Sequence, residues 1–431
     1  MKQKIRQIIF DMRNQPLISG VTFIATAMSV FLFMIVAITS RVKTVPFPPE
    51  SCRDRLMVGQ FMHLHGFNGQ NENGDNSGGV SYNTAKMLYE GLEGVELTSF
   101  MRHGAFGALV KGTESQSFQA GTARAVDANF FRIFDHPLIS GRYFTADEAS
   151  SQLPVVVISE NTARKAFGKT DVAGMPILLD HKKYTVVGVV KDNSALATTG
   201  SGDVFFTYSA PQSTPEQQDV WESYFGDAAV ALLLKKDVDF QSIRDQVKAR
   251  YAILNTELYP LGWKAIYHES PFNQEVISSN FYGSNSTPDT AAERRSRYIL
   301  YAILLTVPAI NLSSLLHSRM RKRISEIGVR RAYGCTRSRI ISDIIWENFL
   351  ITLIGGLVGV VLGIVFALTY SGLYEDMQTA GSGLTPAISA VINWGTIFIA
   401  VAVCFILNII SASIPAWQAS RLNPVEAINN K

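Results

Sequence analysis

Four stretches of this chain stay free of charge long enough to cross a bilayer, and a long polar segment separates the first from the other three. The uncharged segment Asn14–Ser40 holds the apolar run Leu17–Ile38, whose 22 residues would reach ~33 Å as a helix, enough for a hydrocarbon core. Tyr298–Ser318, Asn348–Tyr374 and Trp394–Ala416 supply the remaining windows. The pattern predicts four transmembrane helices at 17–39, 298–318, 344–371 and 394–416, joined by a loop at 319–343 and a short one at 372–393. Residues 1–16 and 417–431 flank them. Ile5, Ile8, Ile9 and Met12 recur at helical spacing among basic residues, which suits an amphipathic segment on the membrane surface.

Residues 40–297 show alternating elements of their own. Leu56–Met62 reads as a strand, and the Gly- and Asn-rich run 66–79 as a mobile loop with almost no core-forming residues. Tyr82–Leu92 reads as a helix, Ala123–Val126 as a strand and Asn129–Phe134 as a short helix. Val155–Ser159 reads as a buried strand, Asn161–Phe167 as a helix and Tyr184–Val190 as a β-branched strand. Ala229–Leu234 is strand-like, and Ile243, Val247, Tyr251 and Leu254 mark one helical face within 240–254. The expected fold is therefore an α-helical membrane domain of four transmembrane helices plus a large α/β (mixed α+β) domain inserted between the first and second helices.

The average composition, 47% hydrophobic and 17% charged, conceals this segmentation. Charge adds orientation. Lys2, Lys4, Arg6 and Arg13 precede the first span, eight arginines and lysines crowd the loop between the second and third, and 371–393 has none. Basic residues are retained in the cytoplasm, so both termini are expected inside and the inserted domain on the periplasmic side of a bacterial inner membrane. The net charge of +3 is thereby explained without a nucleic-acid partner. The first span is too long for the apolar core of a cleaved signal and lacks a small-x-small site near Thr39, so an uncleaved anchor is expected. Cys52, Cys335 and Cys404 fall in three different environments and cannot pair within one chain.

Among the motifs, Phe167-Gly168-Lys169-Thr170 lacks the earlier glycine of a phosphate loop, because position 163 is alanine. His63 and His65 share one strand face but have no third ligand nearby in sequence, and no metal site is assigned. No nucleophile, base and acid constellation stands out, so a non-catalytic chain is expected. Gly355, Gly356, Gly359 and Gly363 lie on or near one face of the third span, where small residues allow close helix packing. In the basic loop, Glu326 and Arg330 form an i,i+4 pair in the favoured order, and Gly334 is placed to end a short helix. Asn423-Pro424-Val425-Glu426 reads as a capped helix start.

Three of these segments together resemble the permease subunits of the MacB/FtsX/LolC-type (type VII) ABC transporter family. Arg323-Ile-Ser-Glu-Ile-Gly-Val-Arg-Arg-Ala-Tyr-Gly334 is similar to the family's REIGIRRALGA segment, Gly355-Gly-Leu-Val-Gly359 to its GGLLG, and Pro415–Ile428 to its closing PARRAS…PVEAL pattern. In the inserted domain, Asn129-Phe-Phe131, Pro137–Phe144, Phe167-Gly168 and Tyr184–Val189 carry a weaker likeness. The resemblance implies a coupling helix in the loop, with Arg323, Glu326, Ile327, Gly328, Arg330, Arg331 and Gly334 meeting a cytoplasmic ABC ATPase dimer. It implies a second permease copy or paralogue, a periplasmic or outer-membrane partner, and membrane lipid around the spans. No cofactor is expected on this chain. ATP and magnesium would be used by the ATPase, expected in trans because the chain begins at a membrane helix and shows no phosphate loop. The implied function is export or extraction of a substrate driven by ATP. An FtsX-like mechanical transmitter acting on a periplasmic cell-wall enzyme is the alternative.

Overall fold

The computed structural model describes residues 16–42, 44–67, 74–113, 117–193, 197, 199–208, 223–279, 286–304, 306, 329 and 333–369, with scattered helical positions between 394 and 413. Two compact units divide the chain, one gathering residues 42–290 and the other the apolar helices before and after it.

The inserted unit is organised by the strand richest in small and branched apolar residues. Ala228–Leu234 (β12) is buried at all seven positions, as a strand covered on both faces requires. It lies between Val95–Arg102 (β4) and Leu56–Gly59 (β1), both antiparallel to it, and β1 also pairs with the two-residue strand Phe272–Asn273 (β14). Side chains alternate across β12. Val230, Leu232 and Leu234 pack with Leu88 of Tyr82–Tyr89 (α2) and with Ile243, Val247 and Leu254 of Phe240–Leu258 (α6). Ala229, Ala231 and Leu233 share a cluster with Phe130 and Phe131 of the short helix Phe130–Ile133 (α3). The helical spacing read from 243 to 254 is thus the buried face of α6.

From β4 the sheet passes to Gln119–Val126 (β6) and closes on itself. β6 pairs antiparallel with Phe106–Gly112 (β5), β5 with Pro176–Leu179 (β9) and β9 with Lys182–Val190 (β10). β10 runs parallel to Val155–Ser159 (β8), β8 antiparallel to Val204–Thr207 (β11), and β11 parallel to β6, with Val204 opposite Ala123. The six strands of this ring supply Val110, Ala123, Ile158, Leu179, Val189 and Val204 to one buried cluster, joined by Phe167 of Glu160–Phe167 (α5). Leu138–Gly141 (β7) flanks the ring on β10, and the helix Ala146–Ser150 (α4) follows it under a capping box of Thr145 and Glu148. The mixed sheet with helices on its faces is the α+β architecture expected.

Two readings need correction. Leu56–Met62 is not one strand: the strand is interrupted at Gln60, and Phe61–Gly66 (β2) joins a separate three-stranded sheet between Asp75–Gly79 (β3) and Trp263–Ile266 (β13). The run 66–79 is likewise not all loop, since β3 pairs antiparallel with β2 from Asp75–His65 to Gly79–Phe61. Composition hid it because this edge strand contributes backbone and glycine in place of apolar side chains; a Cβ at Gly79 would fall on the carbonyl of Gly226.

The membrane unit holds Pro16–Val42 (α1), a helical stretch over 290–304 (α8) and Arg337–Thr369 (α9). Phe23–Arg41 and Thr352–Thr369 are long and apolar enough to cross a membrane, with mean hydropathies of 2.2 and 2.4. α9 starts seven residues before the expected span at 344, and α8 eight before 298. Runs of uncharged residues locate the membrane core but ignore helical turns that carry charge, such as those of Arg337, Arg339 and Asp343. Pro308, Asn311, most of the fourth span and the two terminal segments lie outside the described residues.

One buried group in the inserted unit ties its stability to pH. His136 is 1% exposed, stacked on Phe130 (ring centroids 5.5 Å apart) and edge-on to Phe205 (4.8 Å). Burial pushes its pKa down to about 4, with Asn193 and Gly200 offsetting part of the effect. The unfolded chain binds this proton near pH 6.5 and the folded one does not, so the contribution is whole above 6.5 and is lost as pH falls towards 4. The shift corresponds to about 3 kcal/mol. Unfolding midpoints measured across this window should fall steeply for the wild type and less steeply for His136→Phe.

Candidate coupling helices and the juxtamembrane clamp

The glycines of α9 pack directly against α1. On α9, Thr352, Gly355, Gly356, Gly359, Val360, Gly363 and Ala367 are buried, while Ile354, Leu357, Val361, Leu362 and Val365 are exposed. Small residues face protein and large apolar ones face outward, the arrangement a lipid solvent permits. A Cβ at Gly355 would lie 3.1 Å from the Phe23 carbonyl oxygen, one at Gly359 would fall on the carbonyl of Ala27 and 2.8 Å from Val30 Cβ, and one at Gly363 would lie 2.7 Å from Met34 Cβ. Gly356 is looser, with Val30 Cγ2 at 3.9 Å. Phe31 and Phe366 close the seam edge to face at 5.5 Å.

The order of these contacts sets direction. Positions 355, 359 and 363 meet progressively later residues of α1, so α1 and α9 run parallel. On α8, Tyr301 packs against Phe33 at 5.2 Å and the Leu304 carbonyl accepts a 3.0 Å hydrogen bond from Ser29 Oγ, so α8 runs antiparallel to α1. Among the described helices of this unit, α1 and α9 are thus parallel and α8 is antiparallel to α1.

Of the loop residues assigned to ATPase coupling, Arg323, Glu326, Ile327, Gly328, Arg330 and Arg331 lie outside the described residues. Gly334 is described. Its φ of +86° is left-handed, and the amide of Tyr333 just before it bonds the Val329 carbonyl at 3.1 Å, an i−4 bond of helical type. Tyr333, exposed at 89%, and Val329, at 45%, leave apolar surface beside it.

The structure also presents a charged cluster that the sequence did not mark. Residues 44–55, which follow α1 in the chain, are fixed to the ring by buried charge. Glu50 is 1% exposed; one oxygen accepts from Arg53 Nε at 2.6 Å and the other from the amides of Thr199 and Gly200, both at 2.7 Å. Arg53 also donates to the Val45 carbonyl at 3.1 Å and lies 4.1 Å over the Phe47 ring. Arg124 of β6, equally buried, donates to the Ser201 carbonyl at 2.8 Å; burial lowers its pKa to about 10, against the pull of Glu50, so it stays charged. These groups join residues 45–53 to β6 and to the approach to β11. Spacing could not reveal them, since Glu50, Arg124 and Thr199 are far apart in sequence. The only local signal was a charged pair three apart in a proline-rich segment beside a span.

The histidine pair also gains neighbours. His63 Nε2 and His65 Nδ1 meet Asp75 Oδ1 at 3.2 and 2.7 Å, and His63 Nδ1 meets His268 Nε2 at 2.9 Å. Both ring nitrogens of His63 are thereby engaged by protein. Among the described residues, no group of three or more His, Cys, Asp or Glu could hold a metal ion. Lys169 and Thr170 follow the left-handed Gly168 that ends α5, so they do not sit between a strand and a helix start as a phosphate loop would. Cys52 and Cys335 are both free.

Residues 17–250 match the family described as MacB-like periplasmic core domain, and 298–424 the one described as FtsX-like permease C-terminal. The chain belongs to the MacB/FtsX family of ABC permeases. Curated relatives of this MacB/FtsX chain include the "Macrolide export ATP-binding/permease protein MacB" of Neisseria meningitidis, 27% identical over 70% of this chain and 42% of the relative. Another is the "Pyoverdine export ATP-binding/permease protein PvdT" of Pseudomonas savastanoi pv. phaseolicola, 26% identical over 79% of this chain and 47% of the relative. The chain thus spans less than half the length of these relatives. A crystal structure of the periplasmic region of MacB from Actinobacillus actinomycetemcomitans covers 53% of this chain and 94% of its own, at 16% identity and a TM-score of 0.34. The MacB/FtsX family is one of bacterial inner-membrane permeases, and α1 and α9 have the length and hydropathy for that setting.

Proposed function

We propose that this permease couples ATP hydrolysis by a separate cytoplasmic ABC ATPase dimer to movement of its inserted domain, for export or extraction of a substrate at the periplasmic face of the inner membrane. The observation that carries the reading is the glycine seam that joins α1 to α9 within the membrane unit; within the inserted unit, the buried Glu50 clamp joins residues 44–55 to the ring. α9 begins at Arg337, three residues after Gly334, at the end of the loop expected to dock on the ATPase. A tilt of α9 would draw α1 with it through the seam. ATP would do work by binding the two conformations with different affinity. The chain itself performs no chemistry; ATP and magnesium act on the partner, and a second permease copy or paralogue completes the complex.

The test is co-purification in mild detergent of wild type beside Glu326→Lys, with mass spectrometry and ATPase assay of what is recovered. An ATPase should accompany the wild type, and the charge reversal should release it or reduce its coupled turnover by about ten-fold, the scale on which one interfacial charge contact acts. Failure to recover any ATPase with the wild type would overturn the reading. Recovery of a cell-wall hydrolase on the inserted domain, with no cargo accumulating in cells lacking the chain, would favour the FtsX-like transmitter.

A further inference from the structure

The histidines of the three-stranded sheet form a relay of hydrogen bonds. His63 of β2, whose side chain is 7% exposed, meets Asp75 Oδ1 of β3 through Nε2 at 3.2 Å and His268 Nε2 through Nδ1 at 2.9 Å. His268 lies two residues past β13, and its Nδ1 meets Thr287 Oγ1 at 3.3 Å, three residues before α8 begins in the chain. His65 Nδ1 joins the same Asp75 oxygen at 2.7 Å. The two imidazole planes of His63 and His268 are 9° apart and their centroids 5.1 Å. That separation is the nitrogen distance plus a ring radius at each end, so the rings meet coplanar and nitrogen to nitrogen, not face to face.

Such a contact holds one proton and is broken by two, because a protonated imidazole donates from both nitrogens and accepts at neither. With both rings neutral, His63 donates to Asp75 and accepts from His268, which accepts from the Thr287 hydroxyl. A first added proton enters at His268 Nδ1, which turns donor to Thr287, and the shared proton can pass to His63 beside the Asp75 carboxylate; every contact survives. A second proton places an N–H on each of the facing nitrogens. We propose that His63 and His268 form an acid-opened latch: while they share one proton, the loop after β13 and the segment at Thr287 are tied to β2 and β3, and uptake of a second proton breaks the tie. His65, and then His63, hold Asp75 below the usual carboxylate range, so it stays a counter-ion where imidazoles titrate. Burial and the charge of His63 hold His268 below its ordinary 6.5, so the tie is whole above 6.5 and is lost as pH falls below it. The other charged or titratable neighbours are Lys264 of β13, paired across the sheet with His65, and, beside His268 and Thr287 in the chain, Tyr267, Glu269 and Asp289. Tyr267 turns to α6, donating to the Arg244 carbonyl at 3.0 Å, and its hydroxyl is pushed up by burial, so it stays neutral. The latch rests on the inserted unit alone and not on a coupled ATPase, so it stands or falls separately from the transport reading.

The experiment is hydrogen exchange of the full chain in mild detergent at about pH 7.5 and about pH 5, corrected for the intrinsic effect of pH. In the wild type, amides in 61–66 and 286–290 should lose about ten-fold in protection between the two, since each pH unit below the second step multiplies the open population by about ten. His268→Gln, whose side-chain amide can still bond His63 Nδ1 but takes up no proton, should remain protected at both. His268→Phe, which cannot make the bond, should be unprotected at both. Asp75→Asn removes the charge beside His63 and should move the response to lower pH, and so tests the latch if the glutamine variant does not fold. His136→Phe should leave the response in place, which separates the latch from the titration of His136. A wild type equally protected at the two pH values, a glutamine variant that loosens as the wild type does, or an Asp75→Asn response unmoved in pH would overturn the proposal.

Discussion

Leucine at position 359 is expected to separate α1 from α9 and abolish assembly of an active permease. The Cβ alone would fall on the Ala27 carbonyl and 2.8 Å from Val30 Cβ, and neither neighbour is the end of a flexible side chain that could swing aside. Relief requires moving a helix, and with it Gly355 and Gly363. Overpacking of a tight core costs roughly 1–3 kcal/mol. A clash with backbone along a whole seam belongs at the upper end, which corresponds to an unfolding midpoint about 10 °C lower. Gly356→Ala is the internal control, because its Cβ would meet only Val30 Cγ2 at ordinary contact distance. Alanine there should keep or slightly raise the midpoint through its better helix propensity. Thermal unfolding of the two variants side by side checks the prediction, and equal melting would show that the seam is not tight.

Glu50→Gln is expected to have the second largest effect. The substitution keeps shape and removes the charge that compensates Arg53 and Arg124, both about 2% exposed. Breaking a buried pair from one side leaves an uncompensated ion and costs about 3–5 kcal/mol. Hydrogen exchange should accelerate at 44–55 and 199–207 before it does elsewhere in the inserted unit. Arg142→Ala makes the comparison. Its bidentate bonds to Glu148, both 2.7 Å, hold that carboxylate well below its usual range at about 2, yet the arginine side chain is 54% exposed. Solvent screening limits the loss there to under about 1 kcal/mol. If the two variants prove equally mild, the clamp does not fix the chain after α1.

The elements legible in the sequence are those whose side chains advertise their surroundings. The apolar runs at Leu17–Ile38 and in 344–371, the buried β12, the face of α6 and the glycines of α9 all carry their environment in local spacing. β3 was lost because an edge strand of Asp, Asn, Ser and Gly is defined by its partner's backbone. β1 and β2 were merged because both are apolar, with only Gln60 between the strands that go to different sheets. The Glu50 cluster was invisible for a different reason. A buried ion pair is a property of three-dimensional neighbours, and Glu50 finds its amide donors 149 and 150 residues away. The loop expected to meet an ATPase was read through resemblance, and of its assigned residues only Gly334 lies among the described ones.

The closed ring also bears on how the protein is made. β6 finds its parallel partner β11 only when residues near 203 have emerged, and the Thr122–Asp203 contacts span 81 positions. Until then β5 and β6 present open edges on the nascent chain. Non-local parallel pairing is slow and exposes strand edges to other chains. Synthesis of this protein should therefore show a vulnerable interval while the segment between β6 and β11 is being delivered. Periplasmic holding factors that shield unpaired strands would raise its yield more than they would that of a domain built from sequence-adjacent hairpins.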